Sequence, residues 1–301
     1  MRESPLHLPP AFAVLCPACG EEGLDESHPA CGSCGFALEA RGRIVLLEAA
    51  PIEADYPVEG SDVQDHVSSR HFWFGMRNRF ILQLMDRIRG EGRRLVEYGM
   101  SNGLVLRQLE QAGWDAAGND MHMSGLQRAA DLVAGPVICA PLEKVVFRDP
   151  VDVACFFDVI EHLPDELPAL EHAVRQLRPG GHLVVTVPAS QSLWSDFDGL
   201  LGHKRRYSAG ELKALFDRLD LDVVLLRYAF FFSYPLVWLQ RKLLRSARDE
   251  RELRASYYRP PHPVVNSVLR GLCRLEALLV QWGWSPPVGT SVMGLARKRE
   301  E

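Results

Sequence analysis

The sequence predicts an α/β fold: a seven-stranded, mostly parallel sheet with helices on both faces, a small cysteine-bearing segment ahead of it, and a helical insertion before the last strand. Three observations predict it. From Arg93 onward, short apolar runs alternate with segments of helical period, the pattern of a parallel sheet covered on both sides. The first of those runs, "RRLVEYGMSNGLVLRQL", passes from an apolar strand through Gly99 and Gly103 into a helix. Further on, "RPGG" at 178–181 stops a helix just before the apolar run "HLVVTV".

Residues 1–50 read as a separate piece. "CPACG" and "CGSCG" are two near-identical knuckles, each with a glycine where a tight turn is needed, and "RGRIVLLE" follows as a strand. Residues 51–69 are polar with two prolines, a linker by composition. The remaining domain, 70–301, opens on a helix whose Trp73, Met76, Phe80, Leu84 and Ile88 form one stripe. Strands are expected at 95–98, 116–119, 137–139, 151–157, 183–187, 221–228 and 291–296. Helices are expected at 104–112, 124–134, 165–177 and 209–219. The insertion, 229–288, carries the apolar "AFFFSYPLVWL", then a charged stretch, then a stripe of Val264, Val265, Val268, Leu269, Leu272, Leu275, Leu279 and Trp282.

Composition narrows the function. The chain has 301 residues, a net charge of −5 and 24% charged residues, which argues against bulk nucleic acid as the main partner. "MRESPLHLPPAFAVLC" lacks a basic start followed by an apolar run, and no stretch reaches the roughly 18–20 apolar residues of a membrane span, so the expected location is cytoplasmic. Cys139, Cys155 and Cys273 lie singly in apolar segments and read as small core residues.

The other four, Cys16, Cys19, Cys31 and Cys34, are spaced C-x2-C, eleven residues, C-x2-C. Two close pairs can place four thiolates at tetrahedral corners, the donor set of a closed structural Zn2+ site; redox pairs are the alternative. With no open coordination position, such a metal supports the fold and takes no part in catalysis. In the opening loop, a glycine-rich turn after a buried strand lets main chain approach a ligand, and Glu97 at the strand end suits a cationic amino-acid moiety. Asp120, about twenty residues on, suits the hydroxyls of a ribose.

The segment "DVACFFDVIEHLPDELPALEHAVRQLRPGGHLVVTVPA", with "LWSDFDGLLGHKRRYS" behind it, "HFWFGMRNRFI" ahead of the loop and "PPVGTSVMGLARK" at the end, resembles class I S-adenosylmethionine-dependent methyltransferases, in particular a bacterial branch of the type 11/12 kind. The resemblance covers roughly residues 66–297. It implies a Rossmann-like sheet and S-adenosylmethionine as cofactor. It implies that Glu97, Gly99, Ser101 and Gly103 contact the methionine part, that Asp120 holds the ribose with Met121 beside the adenine, and that Phe157 and Asp158 border the reacting methyl. The chain departs from the pattern in two places. Ser101 stands for the middle glycine, behind Met100 where a small residue is common. The acidic partner of the adenine amine is replaced around Ala140–Pro141, leaving main chain near Leu142.

Methyl transfer is an in-line displacement, so an enzyme of this kind aligns a nucleophile and, for a hydroxyl, helps remove its proton. His162, in "IEHL", and His203, in "GHKRRY", are the candidate bases, with Glu161 to orient the first or cap the helix after it. Arg205, Arg206 and Tyr207, with Trp194, fall on the loop after the fifth strand. The arginines suit an acceptor with phosphate or carboxylate; a surface cluster at a helix start is the alternative. The expected activity is O-methylation of a small-molecule, glycan or lipid-linked acceptor. Arg241, Lys242 and Arg245, after the aromatic run, raise peripheral membrane contact; helices packed on the sheet or on a partner are the other reading. Two further functions stay open: RNA methylation with the zinc piece gripping RNA, opposed by Glu21, Glu22, Asp25 and Glu26 within that piece, and a non-catalytic scaffold.

Overall fold

The computed structural model describes residues 6–21, 23–48, 71–88, 90, 92–243 and 261–300. The expected linker at 51–69 and Arg245 lie outside the described residues.

The N-terminal segment contributes β1 (Val14–Leu15), β2 (Gly23–Leu24), β3 (Glu39–Arg41) and β4 (Ile44–Leu46). Then come α1 (Phe72–Met85), β5 (Arg94–Tyr98), α2 (Leu104–Gln111), β6 (Asp115–Asp120), α3 (Met123–Leu132), β7 (Val137–Cys139) and β8 (Val151–Phe157). The second half runs α4 (Leu167–Gln176), β9 (Leu177–Pro188), α5 (Asp196–Leu200), α6 (Ala209–Arg218), β10 (Leu221–Ala229), α7 (Tyr234–Leu243), α8 (Pro263–Gln281) and β11 (Ser291–Lys298). The main sheet is ordered β10-β11-β9-β8-β5-β6-β7-β4-β3. From β4 to β9 the neighbours are parallel; β11 is antiparallel to both β9 and β10, and β3 to β4. The chain leaves β5 outward through β6 and β7, then returns to β8 on β5's other side. The carboxyl ends of β5 and β8 therefore open a crevice at the switch point, where ligands bind in sheets of this kind.

Seven of these strands are those expected of the sheet, and β4 falls within the strand expected at "RGRIVLLE". That β3 and β4 join the same sheet corrects the reading of residues 1–50 as a separate piece. Ile44, Val45 and Leu46 pair in parallel with Val137, Ile138 and Cys139. Val14 bridges Phe147, and Arg43 donates to the carbonyls of Ala130 (2.9 Å), Val133 (2.6 Å) and Ala134 (2.6 Å), closing the C-terminal end of α3. The edge of β7 offers unpaired backbone groups, and this segment satisfies them.

Two further expectations shift. "RPGG" does not precede the fifth strand but bulges within it. The register jumps from Val151 opposite Leu177 to Val153 opposite His182, and Gly180 takes a φ of 71°. The stripe foreseen on α8 is mostly the wrong face. Leu269, Cys273, Glu276, Ala277 and Val280 are the buried residues, whereas Val264, Val265, Val268, Leu275 and Trp282 are exposed. The helix is apolar on two opposite sides, so period alone does not say which one is covered. Its inner side packs on α1 in the same direction, as the pairs Phe72 N to Asn266 Oδ1 (2.9 Å) and Gln83 Nε2 to Ala277 O (3.2 Å) show. The α1 stripe itself is as expected: Met76, Phe80, Leu84 and Ile88 are buried, with Trp73 half-buried and stacked on Phe230.

Candidate functional site

The cradle is built at the end of β5. Gly99 has a φ of 74°, and a Cβ there would lie 2.5 Å from Val159 Cγ2, so only glycine fits. Gly103, also at 74°, starts α2 against Ala129 and Val133. Between them Ser101 adopts a φ of 49°, and its N–H donates to Asp120 Oδ2 (2.9 Å) while His122 N donates to Oδ1 (2.9 Å). Asp120 thus ties the first loop to the second and sits on the rim of the crevice. Met100 is 3% exposed and is packed in the core against Leu106, Gly103 and Gly118. A Cβ on Gly118 would collide with its sulfur, so the bulky residue in the loop is accommodated by a glycine in β6.

Glu97 is 2% exposed, and its Oε2 has no hydrogen-bond partner. Burial, with Asp120 adding to it and Arg77 opposing, pushes its carboxyl up to about 8. A buried carboxyl with one oxygen unpartnered, beside a turn bounded by Gly99 and Gly103, fits the ammonium of an amino-acid ligand. Phe157 is buried and Asp158 takes a φ of 57° at the end of β8. Leu142 is half-buried after β7, and Met121 is exposed on the rim.

Arg77, which the sequence reading passed over, lies across this site from α1. Its Nε is ion-paired with Asp158 Oδ2, its Nη2 donates to Phe157 O (2.9 Å), and its guanidinium lies 5.7 Å from the centre of the Trp73 ring. The i, i+4 spacing of Trp73 and Arg77 on one helix was the available signal.

Beyond Asp158 a short 3-10 turn, Ile160–His162, carries the second cluster. Glu161 is fully buried with neither carboxylate oxygen bonded to a partner, and burial, then Asp158, pushes its carboxyl well above the usual range. His162 is pushed down to about 4 by burial and then by His203. The two imidazoles meet edge to face, centroids 4.8 Å apart. Glu161, His162 and His203 each offer a ligand atom within 4.8 Å of the others, so one cation could engage all three. His203 Nδ1 lies 3.2 Å from Asp198 Oδ1. Asp198 is fully buried at the start of α5, where Ser195 N (2.9 Å), Arg206 Nε (2.8 Å) and Arg241 Nη1 (2.8 Å) also reach it. Burial opposes its charge, but His203, Arg206 and Arg241 outweigh burial and hold the carboxyl well below the usual range.

This hub corrects the expectation for the basic residues. Arg206 is 8% exposed and committed to Asp198 and to Ala189 O (3.0 Å). Arg205 pairs with Glu166 and donates to the carbonyls of Leu163 (3.2 Å) and Pro164. Tyr207 is buried, its backbone bridging to Pro188 and Ser190. These three hold the loop down, and an acceptor's oxyanion would have to displace buried carboxylates to reach the arginines. Arg241 is turned inward as well, and Lys242 lies over the Trp238 ring at 4.2 Å. Trp194 keeps 36% exposure at the mouth.

In the N-terminal segment, Cys16 and Cys34 sulfurs are 3.6 Å apart, as are those of Cys19 and Cys31, and all four lie within 4.8 Å of one another. Tetrahedral Zn–S bonds of about 2.3 Å put sulfurs about 3.8 Å apart, so the cluster is compatible with a zinc ribbon. Gly20 and Gly35, at φ of 75° and 77°, close the two knuckles. Among the described residues no helix is long and apolar enough to cross a membrane.

The methyltransferase domain family matches residues 70–226, more than half of the chain. A probable S-adenosylmethionine-dependent methyltransferase of Mycolicibacterium smegmatis is 27% identical over 56% of this chain and 66% of its own length. A ubiquinone biosynthesis O-methyltransferase of Cupriavidus pinatubonensis is 30% identical over 36% of this chain and 47% of its own. The chain thus spans from about two fifths to two thirds of the curated relatives it matches. Among solved structures, one from the complex of the Haloferax volcanii Trm112 methyltransferase activator with a methyltransferase superposes with a TM-score of 0.55 at 16% identity, over 83% of this chain and 98% of that one. Haemonchus contortus phosphoethanolamine N-methyltransferase 2, in complex with S-adenosyl-L-methionine, does so with a TM-score of 0.54 at 14% identity, over 82% and 58%. With the sheet order, the glycine cradle and this match together, the chain belongs to the S-adenosylmethionine-dependent methyltransferase family.

Proposed function

We propose that this protein transfers the methyl group of S-adenosylmethionine to a hydroxyl of a small-molecule, glycan or lipid-linked acceptor, with His203 removing the proton. The observation that carries the reading is the Asp198–His203 pair beside the end of β8. Asp198 is a buried, charged, acceptor-only group, so His203 must donate to it from Nδ1, which leaves Nε2 with the lone pair that takes a proton. His162, held neutral by burial and by its neighbour, packs against that imidazole and keeps a second charge away from it. The cofactor supplies a methyl on a sulfonium. Glu97 would bind its ammonium, the main chain of Gly99, Ser101 and Gly103 its carboxylate end, Asp120 its ribose, and Met121 and Leu142 its adenine edge. Phe157 and Asp158 would border the methyl, and Arg77 stands at the same carboxylate. Glu161, its carboxylate oxygens unpartnered, lies within 4.8 Å of a ring nitrogen of each imidazole. The 30% match to a ubiquinone biosynthesis O-methyltransferase favours an oxygen acceptor. The four N-terminal thiolates we read as holding a structural zinc ion.

The test is calorimetry with S-adenosylmethionine, followed by a screen of hydroxylated acceptors, catechols and glycosides among them, for release of S-adenosylhomocysteine. Saturable cofactor binding and turnover that is lost in His203→Ala with cofactor binding kept supports the reading. Absence of cofactor binding at millimolar concentration would return the chain to the scaffold reading.

A further inference from the structure

We propose that the outward face of α8 is a self-association surface, on which α8 of a second copy of this chain lies antiparallel. The inner face of the helix is covered by the body of the protein through Leu269, Cys273, Ala277 and Val280. On the opposite side, Val264, Val268, Gly271, Leu275, Leu278 and Trp282 succeed one another at intervals of 4, 3, 4, 3 and 4, the spacing of a coiled-coil seam. All six are exposed, Val264 at 64% and Trp282 at 81%. The seam runs from Val264 to the C-cap residue Trp282, about 27 Å at 1.5 Å per residue.

The order of sizes along the seam selects the partner. About its midpoint, near Cys273, the seam is complementary to its own reverse: Gly271 faces Leu275, Val268 faces Leu278 and Val264 faces Trp282, each time a small residue opposite a large one. A parallel pair would instead set glycine on glycine and tryptophan on tryptophan. The flanks agree. One side of the seam is Val265, Leu272 and Leu279; the other is Ser267, Arg274 and Gln281. Antiparallel helices bring each flank against its own kind, apolar on apolar and polar on polar, whereas a parallel pair would lay Arg274 against leucines. The exposed apolar area of the seam, counted on two copies, is roughly 1,000 Å², the size at which specific interfaces begin. The sequence outside the described residues offers no matching stripe: 244–260 is dominated by "RSARDERELR". A lipid surface fits less well, because Arg274 is the single cation among the exposed residues of α8.

Sedimentation velocity of the full chain at high micromolar concentration is expected to show a species of twice 33.8 kDa. Leu275→Glu and Val268→Glu, at exposed positions, are expected to weaken the dimer on the order of tenfold or more with unchanged circular dichroism and melting. The two copies of Arg274 meet near the two-fold axis, so the dimer tightens as salt rises, and Arg274→Gln removes that dependence. Mixing Val264→Cys with Trp282→Cys is expected to give a cross-linked heterodimer under oxidation. A wild-type monomer, a dimer untouched by Leu275→Glu, or Val264→Cys cross-linking to itself would overturn the proposal. So would a monomer that co-sediments with anionic phospholipid vesicles and loses them in Leu275→Glu, which would assign the face to a membrane.

Discussion

At the scale of single residues, the buried carboxyls separate what folds the site from what works in it. Glu97 binds its proton more tightly in the folded chain than in the unfolded one, its carboxyl lying near 8 against an ordinary 4.5. The folded state therefore holds more protons between those values, and stability falls as pH rises across that window. Glu97→Gln, which needs no proton, is expected to be more stable than the parent above pH 8 by about 2–4 kcal/mol in denaturant unfolding without cofactor, and level with it below pH 5. The same variant should bind S-adenosylmethionine at least tenfold more weakly, since the ammonium loses its carboxylate; equal affinity would remove Glu97 from the cradle. Asp198 works the other way. Its carboxyl is held low by His203, Arg206 and Arg241, so its contribution is present above the unfolded carboxyl value near 3.8 and is lost as pH falls below it. Arg206→Ala leaves that buried charge short of a partner and is expected to cost about 3–5 kcal/mol, read as a lower denaturation midpoint. His203→Ala should keep the fold and lower kcat by about 10² to 10⁴ with cofactor affinity unchanged. The sequence offered Glu97, Asp120, His162 and His203 as candidates. It could not show that Arg205 and Arg206 are spent on Glu166 and Asp198, because those partners lie 39 and 8 residues away and only the folded loop joins them.

Among the elements, the turn between β5 and α2 shows how far local pattern reaches. A glycine after an apolar strand predicted a bare turn, and Gly99 is one, with Val159 where a side chain would be. Ser101 looked like a defect in the same motif. In place it is a left-handed residue whose cost, about 1 kcal/mol, is offset by the hydrogen bond from its N–H to Asp120. Met100, the second departure, is absorbed by Gly118 one strand away, a compensation visible only in three dimensions. Gly99→Ala is expected to abolish detectable cofactor binding and to lower stability by about 1–3 kcal/mol. Adding Val159→Ala makes room for the Cβ but leaves the φ of 74°, so binding should return in part only. Full recovery would mean that the clash, and not the backbone, sets the requirement for glycine. The α8 helix marks the opposite limit. Its sequence has apolar residues on two sides, and the side the body covers is the one on which Asn266 and Ala277 bond α1 and Glu276 accepts from Phe232 N beyond β10, which period does not reveal.

Across the whole molecule, the least legible feature was that the cysteine segment and the catalytic domain share one sheet. Composition separated them, and the polar stretch between them read as a boundary. Yet β4 continues the sheet beyond β7, and Cys16 and Cys31 belong to the same buried cluster as Val96 and Phe156 of the central strands. The sequence could not say so, because strand pairing across more than ninety residues leaves no periodic trace. The consequence concerns the zinc ion proposed for the four thiolates. A free-standing ribbon would lose its zinc and unfold alone, leaving cofactor binding untouched. Here the second knuckle leads into β3 through the Ala30–Ala37 bridge, β4 covers the edge of β7, and Arg43 closes α3, the helix that follows Asp120. Chelation, or Cys16→Ser with Cys34→Ser, is therefore expected to lower the melting temperature of the entire chain in one transition, seen alike by circular dichroism and by retention of S-adenosylmethionine. A chain beginning at residue 70 should expose β7 and aggregate. Two separate transitions, or a shortened chain that stays monodisperse and binds cofactor with parental affinity, would show that the segment is an appendage after all.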